Sequence, residues 1–405
     1  MPQPLPRLRV NLDFMRSPVP DRPGLLIRDA LQFSDATIII PPPLVDCLRF
    51  FDGEGTDLDL RQALVQITGE LQVGELAEHL IGALSQAGFL DDEVYQELRD
   101  ARLRAFAEAP VRYPSHAGAA YPAEADALSA LLTEYLDHDA PAASERNLIG
   151  IAAPHISLEG GRPCYRAAYG ALRRRDKDRT FVILGTSHYG QPERFGLTRK
   201  PYATPLGETV TDAALVDELV AKAGDAIILE DYCHAVEHSI EFQVLFLQHL
   251  FGADVRILPV LCGSFVQSLN GGGAPEDGPA VARFLAALRE IAAREADRLF
   301  WVLGIDLAHI GPRYGDSFAA EAGQGMMAGV AKQDAEAIER VLAGDARGFW
   351  ERVRQHNDDL RWCGASTLYT FLAAATGVKG ESLCYEQWNI DEQSAVSFAA
   401  LAFSR

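Results

Sequence analysis

Apolar runs and amphipathic segments alternate along the chain from about residue 110 to its end. The apolar runs are NLIGIAAPH at 147–155, RTFVILGTSH at 179–188, AIILED at 226–231, VRILPVLCG at 255–263 and RLFWVLGID at 298–306. Segments between them, such as ADALSALLTEYL at 125–136, place apolar residues at helical spacing. This rhythm is typical of a mixed or parallel sheet with helices on both faces. The pattern predicts an α/β domain over residues 109–405, with a central mixed sheet flanked by helices.

A different pattern fills residues 1–108. The first 24 residues are rich in proline and predict a loosely ordered arm. Two short apolar strands follow, and then three prolines, after which a helix is expected to begin at Leu44. Further helices are expected within DLDLRQALVQIT, VGELAEHLIGALSQAG and DDEVYQELRDARLRAFAEAP. This order predicts a small winged-helix-like α+β domain that is similar to PqqD-type peptide-recognition modules. A helical docking or cap domain is the alternative.

Charge and composition narrow the classes of function. The formal net charge is −20, and so acidic a surface repels phosphate backbones, which argues against nucleic acid as a partner. No run of about 18 apolar residues occurs and the start lacks a continuous apolar segment, so we expect neither a membrane helix nor a signal peptide. The six cysteines form no CxxC motif and no dense framework. They are typical of reduced thiols in a cytoplasmic protein.

Polar side chains stand where three of the apolar runs end. His155 and His188 close the first two runs, Asp306 closes the last, and His309 follows three residues later. Ligands of open α/β sheets bind outside the carboxyl ends of the strands. Any one of these histidines alone would favour a hydrogen-bonded structural role. As a set delivered to one edge, they predict a functional site.

Two other motifs carry candidate chemistry. In EHSIE, Glu237 and Glu241 are four residues apart on one helix face, and carboxylates in a first turn also favour the helix dipole, which is the structural explanation. His238 between them is placed for proton transfer or for holding a metal ligand. Cys363, followed by Gly364, stands at a predicted helix start that favours a thiolate. A buried small residue at a tight turn is the alternative.

Several motifs together resemble the Memo family, whose bacterial members include AmmeMemoRadiSam system protein B. They are HAGAAYPAEADAL, IAAPH, FVILGTSH, EHSIEFQ, ILPVLCG, GIDLAHIG, WCG and SAVSFAALAF, in family order over about 116–403. The resemblance implies a fold similar to that of class III extradiol dioxygenases, which are non-haem iron enzymes. It also implies His155, His188 and Cys363 as ligands of one mononuclear metal, because these residues fall on the APH, GTSH and CG motifs.

The same resemblance implies roles for neighbouring residues. His309 is expected to be a general acid/base, with Asp306 orienting it or a metal ligand, and His238 joins this catalytic group. The residues expected to line the cleft or support the ligands are Glu237, Glu241, His116, Tyr121 and Ser187. Many family members carry aromatic residues where this chain has Ala120 and Gly160. That departure predicts a changed cleft wall and a different or larger substrate.

Two imidazoles and a thiolate make Fe(II) the first choice of metal, with copper or zinc as alternatives. Three protein ligands leave positions open for water, O2 or substrate. The favoured function is therefore an Fe(II)- or copper-dependent oxygenase or oxidase that acts on a small-molecule or peptide substrate. The alternatives are a non-catalytic peptide- or protein-binding scaffold that uses the same cleft, and a zinc-dependent hydrolase. Family naming implies radical-SAM and AMMECR1-like partner proteins.

Overall fold

The computed structural model describes residues 2–136, 147–355 and 357–405. The chain divides into two compact units, Met1–Ala109 and Pro110–Arg405. None of the helices within the described ranges is both long and apolar enough to cross a membrane.

The first unit places a small antiparallel sheet before a group of helices. Its strands are β1 (Leu12–Arg16), β2 (Leu25–Asp29) and β3 (Thr37–Ile40), hydrogen-bonded in that order. A 3-10 helix at Pro42–Phe50 takes the position of the first expected helix, and it is followed by α1 (Asp57–Thr68), α2 (Gly74–Gln86) and α3 (Glu93–Glu108). A capping box between Thr56 and Asp59 fixes the start of α1. The winged-helix assignment of this unit stays a prediction.

The loosely ordered arm expected over residues 1–24 is wrong for the segment that contains β1. Leu5 and Leu12 are buried in the core of the first unit, and β1 pairs with β2. Arg9 is buried as well, and its guanidinium forms an ion pair with Asp29 at 3.0 Å. Prolines obscure the short apolar alternation of LDFMR, and an ion pair between separate segments leaves no periodic signal in the sequence.

Over its described residues, the second unit contains a ten-stranded mixed sheet and a small two-stranded one. The strands are β4 (Leu148–Ala153), β5 (Thr180–Thr186), β6 (Phe195–Leu197), β7 (Ala203–Thr204), β8 (Gly207–Glu208), β9 (Val210–Thr211), β10 (Ile227–Leu229), β11 (Arg256–Cys262), β12 (Leu299–Gly304), β13 (His309–Ile310), β14 (Lys379–Asn389) and β15 (Ala395–Ser404). The helices are α4 (Ala125–Leu136), α5 (Arg162–Gly170), α6 (Ala213–Ala223), α7 (Cys233–Val236), α8 (His238–Phe251), α9 (Val266–Gly271), α10 (Pro279–Arg294), α11 (Met326–Leu342), α12 (Ala346–Gln355) and α13 (Ala365–Ala374).

Parallel strands form the centre of the large sheet, in the order β11, β5, β12, β4. Every residue of β5 and β12 is buried, which explains why these strands are continuous apolar runs without alternation. The hairpin of β14 and β15 adds antiparallel strands beside β4. This hairpin was not among the predicted strands. The mixed sheet flanked by helices nevertheless confirms the predicted α/β fold.

The topology explains how the candidate residues meet. Because β4, β5 and β12 are parallel neighbours, their carboxyl ends lie at one edge of the sheet, and His155, His188 and Asp306 follow those ends. Helices α8 and α13 both pack against β5 and β12. They bring two further motifs, EHSIE and CG, to the same central strands.

Candidate metal centre

His155 follows β4, and the backbone holds its ring in one orientation. Its Nδ1 lies 3.0 Å from the carbonyl oxygen of Gly304. A carbonyl only accepts, so Nδ1 donates and Nε2 carries the lone pair. That Nε2 lies 3.1 Å from the sulfur of Cys363. A buried imidazole with one nitrogen bonded to a carbonyl, so that the other faces a second potential ligand, is typical of a metal site.

A single buried carboxylate, Glu237, orients two further imidazoles. Its Oε1 lies 2.9 Å from Nδ1 of His188 and 3.2 Å from Nδ1 of His238. Its Oε2 accepts the backbone N–H of His188 at 2.9 Å, and the same side chain caps the start of α8. Burial raises the pKa of Glu237, but the His188 and His238 imidazoles outweigh burial and hold that pKa well below its usual range. Nδ1 of both rings therefore faces this carboxylate, and Nδ1 of His188 donates to it.

The three imidazoles converge on one another. Their ring centroids lie 5.1 Å (His155–His188), 5.3 Å (His155–His238) and 5.0 Å (His188–His238) apart. One nitrogen of each ring lies within 4.8 Å of one nitrogen of each of the other two. The sequence assigned His238 to catalysis, and the structure brings it into the same group of potential donors as the two predicted ligands.

Cys363 joins this group from the start of α13. Its backbone and that of Gly364 donate to the carbonyl oxygens of Leu307 and Asp306 at 3.3 and 2.9 Å. A Cβ at Gly364 would lie 2.7 Å from the Asp306 carbonyl oxygen, which explains why glycine follows the cysteine. Burial raises the pKa of the Cys363 thiol, but the neighbouring imidazoles of His155 and His188 lower it to about 7. A thiolate is the form that binds metal.

Asp306 and His309 lie beside these donors. Asp306 accepts the backbone N–H of His155 at 3.0 Å, and burial raises its pKa to about 6 although the His309 charge opposes that shift. Nδ1 of His309 lies 2.9 Å from the Leu307 carbonyl oxygen, which leaves Nε2 free. Its ring meets Tyr314 edge-on at 4.9 Å between centroids. Burial lowers the pKa of His309, which favours the neutral ring that can accept a proton.

A cleft of about 380 Å³ opens beside the site. His188, His309, Cys363 and the predicted cleft residue Ser187 lie on its wall. Its apolar and aromatic lining consists of Phe265, Val266, Leu269, Tyr314, Trp350, Val353 and Trp362. A bound molecule would therefore meet imidazole, sulfur and apolar surface, together with the charged side chains of Asp358 and Arg361.

Glu241, His116 and Tyr121 form a separate cluster, one turn further along α8. The Tyr121 hydroxyl donates to Glu241, Nδ1 of His116 lies 3.0 Å from the same carboxylate, and the buried Arg112 forms an ion pair with it. Arg112 also donates to the carbonyl oxygen of Glu237 at 2.9 Å. Within the described residues the cleft lining includes none of these three predicted residues. Their contacts fasten the segment before α4 to α8, and their predicted role in lining the cleft or supporting the ligands stays a prediction.

At Gly160, where many family members carry an aromatic residue, an aromatic side chain from β14 lies close by instead. A Cβ added at Gly160 would lie 2.7 Å from the indole ring of Trp388, a residue of β14. The glycine therefore leaves room for an aromatic side chain that the sequence pattern alone did not connect with this position. The hairpin that carries Trp388 was not predicted, and this explains why the contact was missed.

The donor set suits a metal ion. The nitrogens of three imidazoles lie within 4.8 Å of one another, and a thiol of lowered pKa lies 3.1 Å from one of these rings. Nitrogen and sulfur donors of this kind bind Fe(II), copper and zinc. The residues present therefore fit the mononuclear metal that the sequence resemblance implies.

Comparison with known proteins agrees with the motifs. Residues 112–402 match the family model of the Memo-like protein. A MEMO1 family protein of Aquifex aeolicus is 26% identical over 93% of this chain and 95% of its own length. A second one, from Thermococcus kodakarensis, is 30% identical over 73% of this chain and 100% of its own length. An uncharacterized Escherichia coli K12 protein of known structure covers 63% of this chain and 99% of its own, with 11% identity, but its TM-score of 0.37 supports no conclusion. By its motifs and its relatives, this chain belongs to the Memo family.

Proposed function

We propose that this Memo-family chain is a mononuclear metal-dependent redox enzyme, an oxygenase or oxidase of a small-molecule or peptide substrate. The observation that carries the proposal is the convergence of three imidazoles and a neighbouring thiol beside a cleft whose wall includes His188 and Cys363. His155, His188 and Cys363 would hold the ion, with Fe(II) preferred over copper and zinc. Six cysteines without a disulfide among the described residues suit the reducing cytoplasm, where we place the reaction.

When bound, an Fe(II) ion would supply one-electron chemistry and open positions for O2 and substrate. The chain supplies the rest. His309 has a free Nε2 at the cleft wall and would take a proton from the substrate or return one. Asp306 fixes the backbone at His155 and acts electrostatically on His309. The apolar walls would exclude water from the reacting groups.

Metal content after purification without air tests the proposal. The full chain is incubated with Fe(II), Cu(I) or Zn(II), dialysed, and analysed for bound metal, and oxygen uptake is then measured with ascorbate as reductant. We expect about one Fe(II) per chain and oxygen uptake that depends on it. Cys363→Ser should weaken binding, whereas Cys384→Ser, at a half-buried thiol of β14, is the matched control and should bind as the unaltered chain does.

Absence of bound metal in the unaltered chain would refute the proposal. Binding of zinc alone, with no oxygen uptake, would replace it with the zinc-dependent hydrolase.

A further inference from the structure

We propose that His238 is a ligand of the metal centre, so that the chain offers four donors: His155, His188, His238 and Cys363. The inference rests on the metal binding proposed above and extends its ligand set. The Memo resemblance supplied two histidines and a cysteine, and it placed His238 among the catalytic residues. The geometry around Glu237 points to a different role.

The orientation of the His238 ring is the first step. Its Nδ1 approaches the same carboxylate oxygen, Oε1 of Glu237, that Nδ1 of His188 approaches. An ionised carboxylate only accepts hydrogen bonds, so Nδ1 of His188, bonded to Oε1 at 2.9 Å, carries a hydrogen, and Nδ1 of His238 faces the same oxygen at 3.2 Å. A carboxylate behind an imidazole is the arrangement that fixes ring and tautomer in metal-ligating histidines. His238 shares the Oε1 contact with His188, and its backbone N–H donates to the same oxygen at 2.9 Å.

Proximity is the second step. An ion that binds two imidazole nitrogens at typical lengths keeps them within about 4.2 Å of each other. The nitrogens of His155, His188 and His238 lie within 4.8 Å of one another. This upper limit on the nitrogen–nitrogen distances is only about 0.6 Å longer than the distance expected between two nitrogens bound to one ion. A small rotation of the rings would remove that difference.

A neighbouring histidine shows that closeness alone does not produce this geometry. Nδ1 of His116 lies 3.0 Å from the Glu241 carboxylate and Nδ1 of His238 lies 3.2 Å from that of Glu237, and the side chains are 22% and 28% exposed. The two rings are 5.6 Å apart. Among the described residues, the convergent group consists of His155, His188 and His238; it leaves out His116, and Cys363 adjoins it through the 3.1 Å contact of its sulfur with Nε2 of His155. His116 is therefore a matched control for His238.

Four donors would limit which ion can support chemistry. An ion that prefers four ligands in a tetrahedron, as zinc does, would be closed by this set. An ion that takes about six ligands would keep about two positions for O2 and substrate. The four-donor centre thus strengthens the choice of Fe(II) and predicts that zinc binds as an inert competitor.

Cobalt(II) titration of the full chain tests the ligand directly. The unaltered chain, H238A and H116A are titrated without air, and affinity is measured by competition with a chelator. The visible d–d absorption of bound Co(II) reports on the donor set. We expect H238A to bind at least about tenfold more weakly, with altered d–d bands, because loss of a ligand exceeds the effect of losing its hydrogen-bond partner. H116A should match the unaltered chain in affinity and spectrum.

Equal affinity and an unchanged spectrum in H238A would overturn the inference and leave the proposed function standing. Failure of the unaltered chain to bind metal would overturn the proposed function itself. If H238A loses its cooperative melting transition, H238Q, which retains a side chain of similar size, is measured in its place. Weaker binding with altered d–d bands in H238Q would then support the inference, and equal affinity with an unchanged spectrum would overturn it.

Discussion

Glu237 and Glu241 stand one turn apart on α8, both fully buried, yet their surroundings differ in one decisive respect. Glu241 is paired with the guanidinium of Arg112, a charge that persists at all ordinary pH values. Among the described residues, the partners of the Glu237 carboxylate are imidazole and backbone N–H groups. One carboxylate is compensated within the protein, and the other lies behind potential ligands of a cation.

This difference separates stability from function on a single helix. Burial of an ionised carboxylate is costly unless a charge or several hydrogen bonds compensate it. Arg112 meets that requirement for Glu241, so this pair can stabilise the fold with no ligand bound. The region around Glu237 holds a second carboxyl group, Asp306, and the acidic thiol of Cys363. A bound cation would neutralise charge there, and we infer that Glu237 serves the centre more than the fold.

The largest effect is expected from Arg112→Ala. The substitution leaves Glu241 buried with its charge unpaired, and loss of one partner of a buried ion pair typically costs about 3–5 kcal/mol in the free energy of unfolding. Urea denaturation of the metal-free protein measures it. Arg112→Ala combined with Glu241→Gln removes the stranded charge and should recover part of the loss. A single variant that loses less than about 1 kcal/mol would contradict the comparison between the two carboxylates.

The next effect concerns metal affinity. Glu237→Gln keeps the size of the side chain but weakens the acceptor for His188 and His238, and loss of such a partner typically reduces metal affinity about 10- to 100-fold. That range corresponds to about 1.4–2.7 kcal/mol of binding free energy. Glu241→Gln is equally buried on the same helix and should leave metal affinity unchanged while lowering stability. Equal affinity losses in the two variants would show that both act through the helix and not through the ligands.

The contrast between Glu237 and Glu241 also shows what sequence patterns can predict about the site and what they cannot. Strand ends predicted His155 and His188 as neighbours, because parallel strands present their carboxyl ends at one edge. The choice of Cys363 came from family motifs, since a cysteine at a helix start gives no signal of what it faces. The different roles of Glu237 and Glu241 were not predictable. Both fit a helix first turn, and what separates them is Arg112, which is distant in sequence and has no periodic signal.

Parts of the fold, too, could be predicted from the sequence, and other parts could not. The buried runs β5 and β12 were recognised because continuous apolar segments between helical patterns are typical of central parallel strands. The hairpin of β14 and β15 was missed, because β14 mixes charged and aromatic residues and its pairing with β15 depends on contacts that local composition does not encode. Trp388 lies on this hairpin against Gly160. Because the hairpin was not predicted, the contact between these two residues was not predicted either.

The smallest effect should come from Tyr121→Phe, which removes one donor from Glu241 and no positive charge. Arg112, His116 and Ser115 still contact the carboxylate, so the loss should be about 1 kcal/mol in the free energy of unfolding, the net value of a typical hydrogen bond. Tyr113→Phe, at a tyrosine 61% exposed in the same segment, should change stability by less than about 0.5 kcal/mol. Metal affinity should be unchanged in both variants. A weaker affinity in Tyr121→Phe would mean that the Glu241 cluster acts on the centre through the His116 and His238 rings, and the separation of the two carboxylates would fail.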